Sequence, residues 1–498
     1  MNTFLNGLVD ETNVGTTENG AVKRKTTKSA VLDMFALCGA YRKRSDADCI
    51  LAFKNALEED ESLALKCLFY LRDCRGGQGE RRFFRVCFKW LADNAPAAAI
   101  RNLENVSEYG RWDDLIYTTI GTKVELNALT IIAKQLALDT ECKTPSLLAK
   151  WLPSENASSA KTKQAASIIR QAIGMTHKEY RQTLSTLRSR INIVEKLMSQ
   201  NRWDEIEFDK IPSKAGLIYK NAFARRDIIA KKYENFAKSA DTKVNAEVLN
   251  PVDIADKVFA HRNHSEVDRA MLQKYWDNLK DYYNGHKENG IAIVDVSGSM
   301  SGQPMNAAVS MGAYIAERGH GPFANHFITF SANPELVKFE GVDIVDKFQR
   351  TIKAGWGMNT NIEAVFKMLL NVAKKENTKA EDIPERLYIF SDMEFDKCMC
   401  SGSTESRHGY SSSRLGSSEQ VETLLEKIAK DWAAAGYELP KVVFWNLDAR
   451  SNNIPALGGR FSYISGFSMS MIETVLSGKD GYDLMLDKLL SERYNAVN

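Results

Sequence analysis

The sequence has few of the features that mark a membrane protein or a disulfide-stabilised protein. Among 498 residues there are only 8 cysteines and 11 prolines, and the cysteines lack the spacing of a disulfide framework. We therefore expect reduced, mostly buried thiols and a cytoplasmic protein. No stretch approaches the roughly 18 apolar residues of a membrane span. The first ten residues have neither a basic flank nor a long apolar core, so no secretory signal is predicted.

An excess of one charge and the signatures of common enzymes are also missing. The 66 basic and 64 acidic residues leave a net charge of +2, so the overall charge identifies no partner. There is no phosphate-binding loop and no nucleophile elbow, and the seven histidines form no catalytic group. Cys398 and Cys400 with His408 are too few ligands for a closed zinc site. We predict that the protein is not an enzyme.

The apolar pattern changes near residue 286, which predicts more than one domain in a chain of this length. Residues 1–28 are polar and are predicted to be a flexible tail. Residues 29–285 have apolar side chains at helical spacing, including a stretch at 180–198 that predicts one long helix. The same spacing is clear at Phe83, Phe84, Cys87, Phe88 and Leu91. This half is predicted to be an array of antiparallel helix pairs, a solenoid without a fixed-period repeat.

Residues 286–498 instead alternate short apolar runs with helical segments. This alternation predicts a doubly wound, mostly parallel sheet, so the predicted fold class is α plus α/β. A ligand of such a sheet binds beyond the carboxyl ends of the strands. Ser401–Ser418 is predicted to be a mobile loop of low complexity. The predicted strands are Ile291–Val294, His326–Phe330, Leu387–Phe390, Val442–Trp445 and Phe461–Ile464.

Oxygen-bearing side chains follow two of these strands directly. Carboxylates and hydroxyls without thiolate or imidazole suit Mg²⁺, which binds few protein carboxylates and keeps open positions. Asp295 is predicted to hold the ion's outer shell or to bind it through water, and Asp392 to close the far side. Alternatively, Asp295 and the serines only cap the following helix. The predicted metal ligands are Asp295, Ser297, Ser299, Thr360 and Asp392.

Four motifs carry a family resemblance: Val294–Met300, Trp356–Asn361, Phe390–Asp396 and Val443–Asn446. They are similar to the von Willebrand factor A domain with its metal-ion-dependent adhesion site, and more closely to an uncharacterised family of A-domain proteins from plants, bacteria and large DNA viruses. The resemblance spans residues from roughly 30 to 490. It implies a Rossmann-like A domain over 286–498 that binds Mg²⁺ or another divalent cation and, through it, an acidic partner group.

The helical half contains five further motifs: Leu71–Arg81, Tyr109–Asp114, Lys150–Pro153, Tyr180–Leu184 and Ile211–Ser213. Through them it resembles a known family, the Ro autoantigen (TROVE) proteins. That resemblance implies a ring or arc of HEAT-like helix pairs joined to the A domain. Ro proteins hold small non-coding or defective RNA, with single-stranded ends passing through a basic hole, so it also implies an RNA-binding protein.

Local charge is compatible with RNA. Residues 161–236 contain 16 lysines and arginines against 8 acidic residues, with aromatic residues between them, which suits single-stranded RNA. Alternatively, these are solvated helix faces and the protein is a metal-dependent interaction scaffold; a Mg²⁺-dependent hydrolase or nuclease is a further alternative. The predicted RNA-binding residues are Arg188, Lys196, Arg202, Lys210, Lys214, Lys220, Arg225 and Arg226.

Two short motifs allow more than one interpretation. The glycines of Arg75–Arg82 precede a helix and can cradle a phosphate, but a tight joint between helices is favoured. Arg111 and Asp113 are predicted to be buried structural partners rather than catalytic residues.

Overall fold

The computed structural model describes residues 12–191, 194–330, 334–353, 361–396, 423–479 and 481–498. Within these ranges, the first half of the chain is built of helices. They are α1 Ala30–Leu37, α2 Asp46–Glu59, α3 Glu61–Arg72, α4 Arg81–Asn94, α5 Pro96–Arg101, α6 Leu103–Tyr109, α7 Trp112–Thr119, α8 Glu125–Glu141, α9 Leu148–Trp151, α10 Ala160–Ala172, α11 His177–Arg190, α12 Val194–Ser199, α13 Ser213–Arg225, α14 Asp227–Lys238, α15 Pro251–Phe259 and α16 Glu266–Asp277.

These helices form where an apolar stripe coincides with a cap. In α4, the five apolar residues that predicted the helix are all buried. α11 begins with a reciprocal capping box between Thr176 and Glu179. It ends at Arg190 and α12 begins at Val194, so the prediction of one continuous helix over 180–198 was wrong. The helical first half is confirmed, whereas a repeat array, ring or arc stays a prediction.

Residues 12–28 differ from the predicted tail. β1, Val14–Thr16, pairs antiparallel with β2, Val22–Arg24. The hairpin also joins the second half of the chain, because Arg24 exchanges two backbone hydrogen bonds with Ile454, 2.9 and 3.1 Å long. The prediction of a tail was wrong for these residues, and residues 1–11 lie outside the described ranges.

The second half forms a six-stranded sheet. The strands are β3 Gly290–Asp295, β4 His326–Phe330, β5 Glu335–Lys338, β6 Arg386–Ser391, β7 Lys441–Asn446 and β8 Phe461–Ser465. Their order is β5-β4-β3-β6-β7-β8, and every neighbouring pair is parallel except β4 and β5. The five predicted strands and the mostly parallel sheet are confirmed, and β5 is an edge strand that was not predicted.

Helices accompany these strands. Because every residue of β3, β6 and β8 is buried, both faces of the sheet are covered. The helices of this half are α17 Gln303–Arg318, α18 Ile344–Lys353, α19 Ile362–Lys375, α20 Leu424–Ala434, α21 Ile472–Val475 and α22 Gly481–Leu489.

The two halves share one continuous hydrophobic core. α1 lies against β8, where the Gly39 N–H donates to the Ser465 hydroxyl at 3.0 Å. A Cβ at Gly39 would lie only 2.7 Å from that hydroxyl oxygen, so this approach needs glycine. At the end of the chain, Arg493 and the Tyr494 hydroxyl both bond to the buried Asp73 of the helical half. In the described ranges, no helix combines the length and the apolar composition needed to cross a membrane.

Candidate metal site at the carboxyl edge of the sheet

Asp295 and Asp392, two of the predicted metal residues, lie where the direction of strand addition reverses. β3 is followed along the chain by β4 on one side, and its other neighbour is β6. Asp295 is the last residue of β3, and Asp392 comes directly after β6. Because β3 and β6 are parallel, with Val294 opposite Phe390, both carboxyl groups reach the same edge. This reversal is the usual ligand position in a parallel α/β sheet.

A chain of hydrogen bonds links the side chains at this edge. The Asp295 carboxylate accepts bonds from the Ser391 hydroxyl at 2.5 Å and from the Ser297 backbone N–H at 2.9 Å. The Ser297 and Ser299 hydroxyl oxygens are 3.0 Å apart, and Ser299 also bonds to Asp392. The structure therefore brings four of the five predicted ligands together, while Thr360 lies outside the described residues.

The helix-cap alternative for this motif is contradicted. Helix α17 begins at Gln303, its cap residue is Gly302, and no side chain caps it. Asp295 instead bonds to Ser297 in the turn before the helix. The Asp-x-Ser-x-Ser segment therefore organises the edge of the sheet and does not terminate the helix.

The backbone after Asp392 is strained. Met393 has a φ of +63°, a left-handed conformation that costs a residue with a side chain roughly 1 kcal/mol or more. Two bonds hold it: Met393 N–H donates to the Ser391 hydroxyl at 3.0 Å, and Glu394 N–H donates to Asp392 at 3.1 Å. Strain held in this way is frequent at functional sites.

The two carboxyl groups repel each other in a buried setting. Burial, reinforced by the charge of Asp392, raises the pKa of Asp295 to about 7. Burial also raises the pKa of Asp392, against the opposing effect of hydrogen bonds from Ser299, Glu394 and Arg450. Two ionised carboxylates in a poorly solvated site are stabilised when a cation lies beside them.

One cation is supplied by the chain itself. Arg450, in the loop after β7, places Nη2 2.5 Å from an Asp392 oxygen and Nη1 3.4 Å from a Glu18 oxygen of the hairpin. Arg450 was not predicted from the sequence. The available signal was its position shortly after a predicted strand, at the same edge as Asp295 and Asp392.

The donor set fits a hard divalent cation. Asp295, Ser297, Ser299 and Asp392 offer only carboxylate and hydroxyl oxygens, which suit Mg²⁺. Within the described ranges, no group of three or more His, Cys, Asp or Glu residues could hold a metal ion. A site here would thus depend on hydroxyl ligands as well as on the two carboxylates, and magnesium binding stays a prediction.

The residues predicted to bind RNA are scattered over α11 to α14, and most have partners within the chain. Lys220 is buried with its Nζ 2.7 Å from Asp268, and Lys214 lies 3.2 Å from Asp253. Two further ion pairs, Arg202 with Glu205 and Lys210 with Glu207, are on the surface. These four cations are already neutralised by nearby acids.

The other four predicted residues divide evenly. Arg188 donates to the carbonyls of Ala149 and Leu152, both at 2.8 Å, and Lys196 donates to a carbonyl at 2.6 Å. Arg226 lies over the Trp203 ring, 4.8 Å from its centre. Arg225 is exposed and forms no ion pair with any described residue.

Four exposed cations that were not named individually have no ion pair in the described part of the chain. They lie on α10 and α11, within the stretch whose excess of basic residues was recognised, and are Lys161, Lys163, Lys178 and Arg181. Arg181 also lines a cleft of about 510 Å³ with Lys150, Arg188 and Lys196. Burial and pairing separate these cations from most of the predicted set, although not from Arg225, and neither property can be read from composition.

The two short motifs have structural roles. In the glycine-rich loop, the N–H groups of Gln78, Gly79 and Glu80 donate to carbonyls at the end of α3, at 3.1, 3.0 and 2.7 Å. They are not available to a phosphate, so the interpretation as a tight joint is confirmed. Arg111 and Asp113 are confirmed as partners, 2.8 Å apart.

Fold and edge together define a two-part protein, with a helical half fused to a parallel α/β sheet that carries an acidic edge. The model of a domain of unknown function, DUF2828, matches residues 17–120 and 137–283, and that of a second one, DUF7788, matches 289–492. The chain belongs to the DUF2828 family. Neither description names an A domain, so that identification stays a prediction.

Two individual proteins are similar over most of the chain. An uncharacterized protein, L728, of Acanthamoeba polyphaga mimivirus is 30% identical over 512 residues, covering 94% of this chain and 85% of the viral protein. The crystal structure of the Deinococcus radiodurans RO (RSR) protein matches 94% of this chain and 100% of that chain, with a TM-score of 0.49 and 13% identity. A likeness this weak supports no conclusion about function.

Proposed function

We propose that the protein is a binding protein whose sheet half holds a divalent cation, Mg²⁺ in the cell, at the edge formed by Asp295 and Asp392. Through an open position on that ion it takes an acidic group of a partner protein. In this proposal the sheet half works as a von Willebrand A domain. The main support is that two buried carboxylates, which repel each other, lie beside two hydroxyl groups at the position where the direction of strand addition reverses.

The site suits recognition better than catalysis. Few direct anionic ligands leave a bound ion electrophilic, so that a carboxylate or phosphate oxygen of a partner can complete its shell. Ser297 and Ser299 provide the hydroxyl groups at the edge, and Asp392 provides a negative charge. A carboxyl group with a pKa of about 7, as at Asp295, also has the value of a general base, so hydrolysis is included in the tests.

Calorimetry tests this proposal directly. Mg²⁺ titrated into the wild-type protein should bind at one site, and Asp392→Asn should remove that binding while the melting profile in chelator stays cooperative. Binding that is unchanged in Asp392→Asn would contradict the proposal. Labelled RNA incubated with protein and Mg²⁺ should stay intact, and degradation that Asp295→Ala abolishes would favour a nuclease instead.

We further propose, in line with the resemblance to Ro proteins, that the helical half holds RNA. The specific support is the set of four unpaired, exposed cations on α10 and α11, Lys161, Lys163, Lys178 and Arg181. Of these, Arg181 also lines a cleft of about 510 Å³. Unpaired cations neutralise phosphates without first losing an internal partner.

Purification without nuclease tests this second part. Recurrent RNA species among the nucleic acids that remain bound would support it and identify the ligand class. Clean protein that also fails to bind a single-stranded test RNA at low salt would favour the scaffold without RNA. The described cysteines are free, and four of the six are buried, which supports the proposal of a reducing, cytosolic location.

A further inference from the structure

We infer that Arg450 competes with a divalent cation for the cation site. Its guanidinium is paired with the Asp392 carboxylate and must leave it before the cation can bind there. This inference rests on the proposed cation site. It adds a residue that controls occupancy of the site, and it assigns a role to the hairpin that closes over the sheet edge.

Arg450 and Asp392 form a direct ion pair. The Asp392 side chain is fully buried, and one of its oxygens lies 2.5 Å from Nη2 of Arg450. Its other oxygen accepts the Glu394 N–H, and Ser299 bonds to the same carboxyl group. A guanidinium and a metal ion therefore compete for the carboxylate, because both are stabilised by the same negative charge.

The loop that carries Arg450 is held by hydrogen bonds from the helical half. Ala449 N–H donates to the Ala40 carbonyl at 3.2 Å, and the Tyr41 hydroxyl donates to Asn452 at 2.8 Å. Arg44 donates to the carbonyl of Arg450 itself at 2.8 Å. With its backbone held on both sides, Arg450 can leave Asp392 by rotation of its side chain alone.

The hairpin provides a second carboxylate that can accept the Arg450 guanidinium. Glu18 lies in the turn between β1 and β2, with a carboxylate oxygen 3.4 Å from Nη1 of Arg450. Its backbone N–H donates to the buried Glu394 at 2.8 Å, and the neighbouring Thr17 hydroxyl donates to the Phe395 carbonyl at 2.7 Å. The hairpin thus holds a second carboxylate beside Arg450, which can receive the guanidinium when a cation takes Asp392.

The side chain of Arg450 is incompletely satisfied where it stands. Its buried Nε has no hydrogen-bond partner among the described residues, and an unpaired buried donor carries a desolvation cost. An arginine placed only to neutralise Asp392 would be expected to use its full set of donors. The arrangement instead suits a side chain with two available positions.

Mn²⁺ is the probe for the test, with affinities measured by calorimetry on the full-length chain. Arg450→Gln should bind Mn²⁺ at least tenfold more tightly than wild type. The matched control is Lys43→Gln, which removes a cation that pairs with Asp448 of the same loop at 2.6 Å; it should change the affinity less than threefold. Arg450→Lys has a shorter side chain and a weaker ion pair with Asp392, so its Mn²⁺ affinity should lie between those of wild type and Arg450→Gln.

The outcomes separate this inference from the cation site on which it rests. If wild type binds Mn²⁺, Asp392→Asn abolishes binding, and Arg450→Gln binds no more tightly, the inference fails and the site stands. If neither wild type nor Arg450→Gln binds, both fail. An equal gain in Lys43→Gln would reduce the effect to general electrostatics and overturn the role of Arg450.

Folding of the variant is followed by melting. In chelator, Arg450→Gln should melt below wild type because Asp392 has lost its counter-ion. Saturating Mn²⁺ should then raise its melting temperature by more than it raises that of wild type. If Arg450→Gln does not fold, the comparison of Arg450→Lys with wild type decides, and a Mn²⁺ affinity in Arg450→Lys equal to or below wild type overturns the inference.

Discussion

The acidic edge of the sheet and the basic stretch of helices over 161–236 make opposite use of charge. At the edge, two carboxylates are buried together and Arg450 is the ion-pair partner of one of them. In the helical stretch, basic residues outnumber acidic ones by two to one, yet many of them are on the surface or already paired. A functional site is indicated by charge that is buried and poorly compensated, and only weakly by the number of charges in a segment.

The largest expected effect is at the edge. Replacing both Asp295 and Asp392 by Asn should weaken Mg²⁺ binding by more than 100-fold, or about 2.7 kcal/mol, because the charges that attract the ion are gone. The measurement is calorimetric titration with Mg²⁺. Asp209→Asn, which removes an exposed carboxylate from the helical half, is the control and should leave the affinity unchanged. A double variant that binds Mg²⁺ as tightly as wild type would contradict the assignment of the cation site to this edge.

Removing the unpaired cations should have the next largest effect. Alanine at Lys161, Lys163, Lys178 and Arg181 together should weaken binding of a single-stranded RNA by at least tenfold. It should also reduce the salt dependence by up to about 3 in the logarithmic slope, since each phosphate contact contributes about 0.7. Fluorescence anisotropy over a range of salt concentrations measures both.

The paired cations provide the contrast. Alanine at Arg202, Lys210 and Lys214 removes the same kind of charge, but these side chains already neutralise acids of the chain. We expect a change in RNA affinity below threefold. An equal loss in the two sets would show that pairing does not matter, and no loss in either would remove this region from the RNA hypothesis.

The sheet could be predicted from the sequence because its strands are continuous apolar runs, whose burial on both faces leaves little ambiguity. The meeting of Asp295 and Asp392 followed from their positions after two such strands. The edge strand β5 was missed because only one of its four residues, Val337, is buried. An exposed strand of this kind has no distinct pattern of its own.

What the sequence could not predict depends on contacts between distant segments. The hairpin of residues 12–28 is polar, and its strands are held by partners such as Glu394 and Ile454, more than 350 residues away. Arg450 is one arginine among 66 basic residues, and only the fold places it on Asp392. The end of helix α11 at Arg190 could not be predicted, because the helical spacing of apolar residues continues beyond it.

A dependence of stability on pH is expected at the edge. Since the folded protein holds the pKa of Asp295 near 7, above the ordinary range of an aspartate side chain, folding favours the protonated form. In chelator, the contribution of Asp295 to the free energy of unfolding should therefore be greatest below about pH 4, and it should be lost as the pH rises through 7. Melting temperatures between pH 5 and pH 8 measure the effect, and Asp295→Asn should show a smaller decrease. An identical pH profile in Asp295→Asn would contradict the buried repulsion.

The smallest effect concerns a cation that serves the fold. Arg188→Ala removes donors to the carbonyls of Ala149 and Leu152, which should lower the free energy of unfolding by about 1–3 kcal/mol. RNA affinity of the folded variant should change by less than threefold, because these donors are already used within the chain. Urea denaturation and anisotropy provide the two values. A large loss of RNA affinity with unchanged stability would return Arg188 to the binding surface.

The central claim is that the strand reversal holds a divalent cation, and crystals grown or soaked in Mn²⁺ test it most directly. The account predicts an anomalous difference peak between Asp392 and the hydroxyls of Ser297 and Ser299, with the guanidinium of Arg450 turned toward Glu18. Anomalous density elsewhere on the molecule, with Arg450 still paired to Asp392 at saturating Mn²⁺, would contradict it.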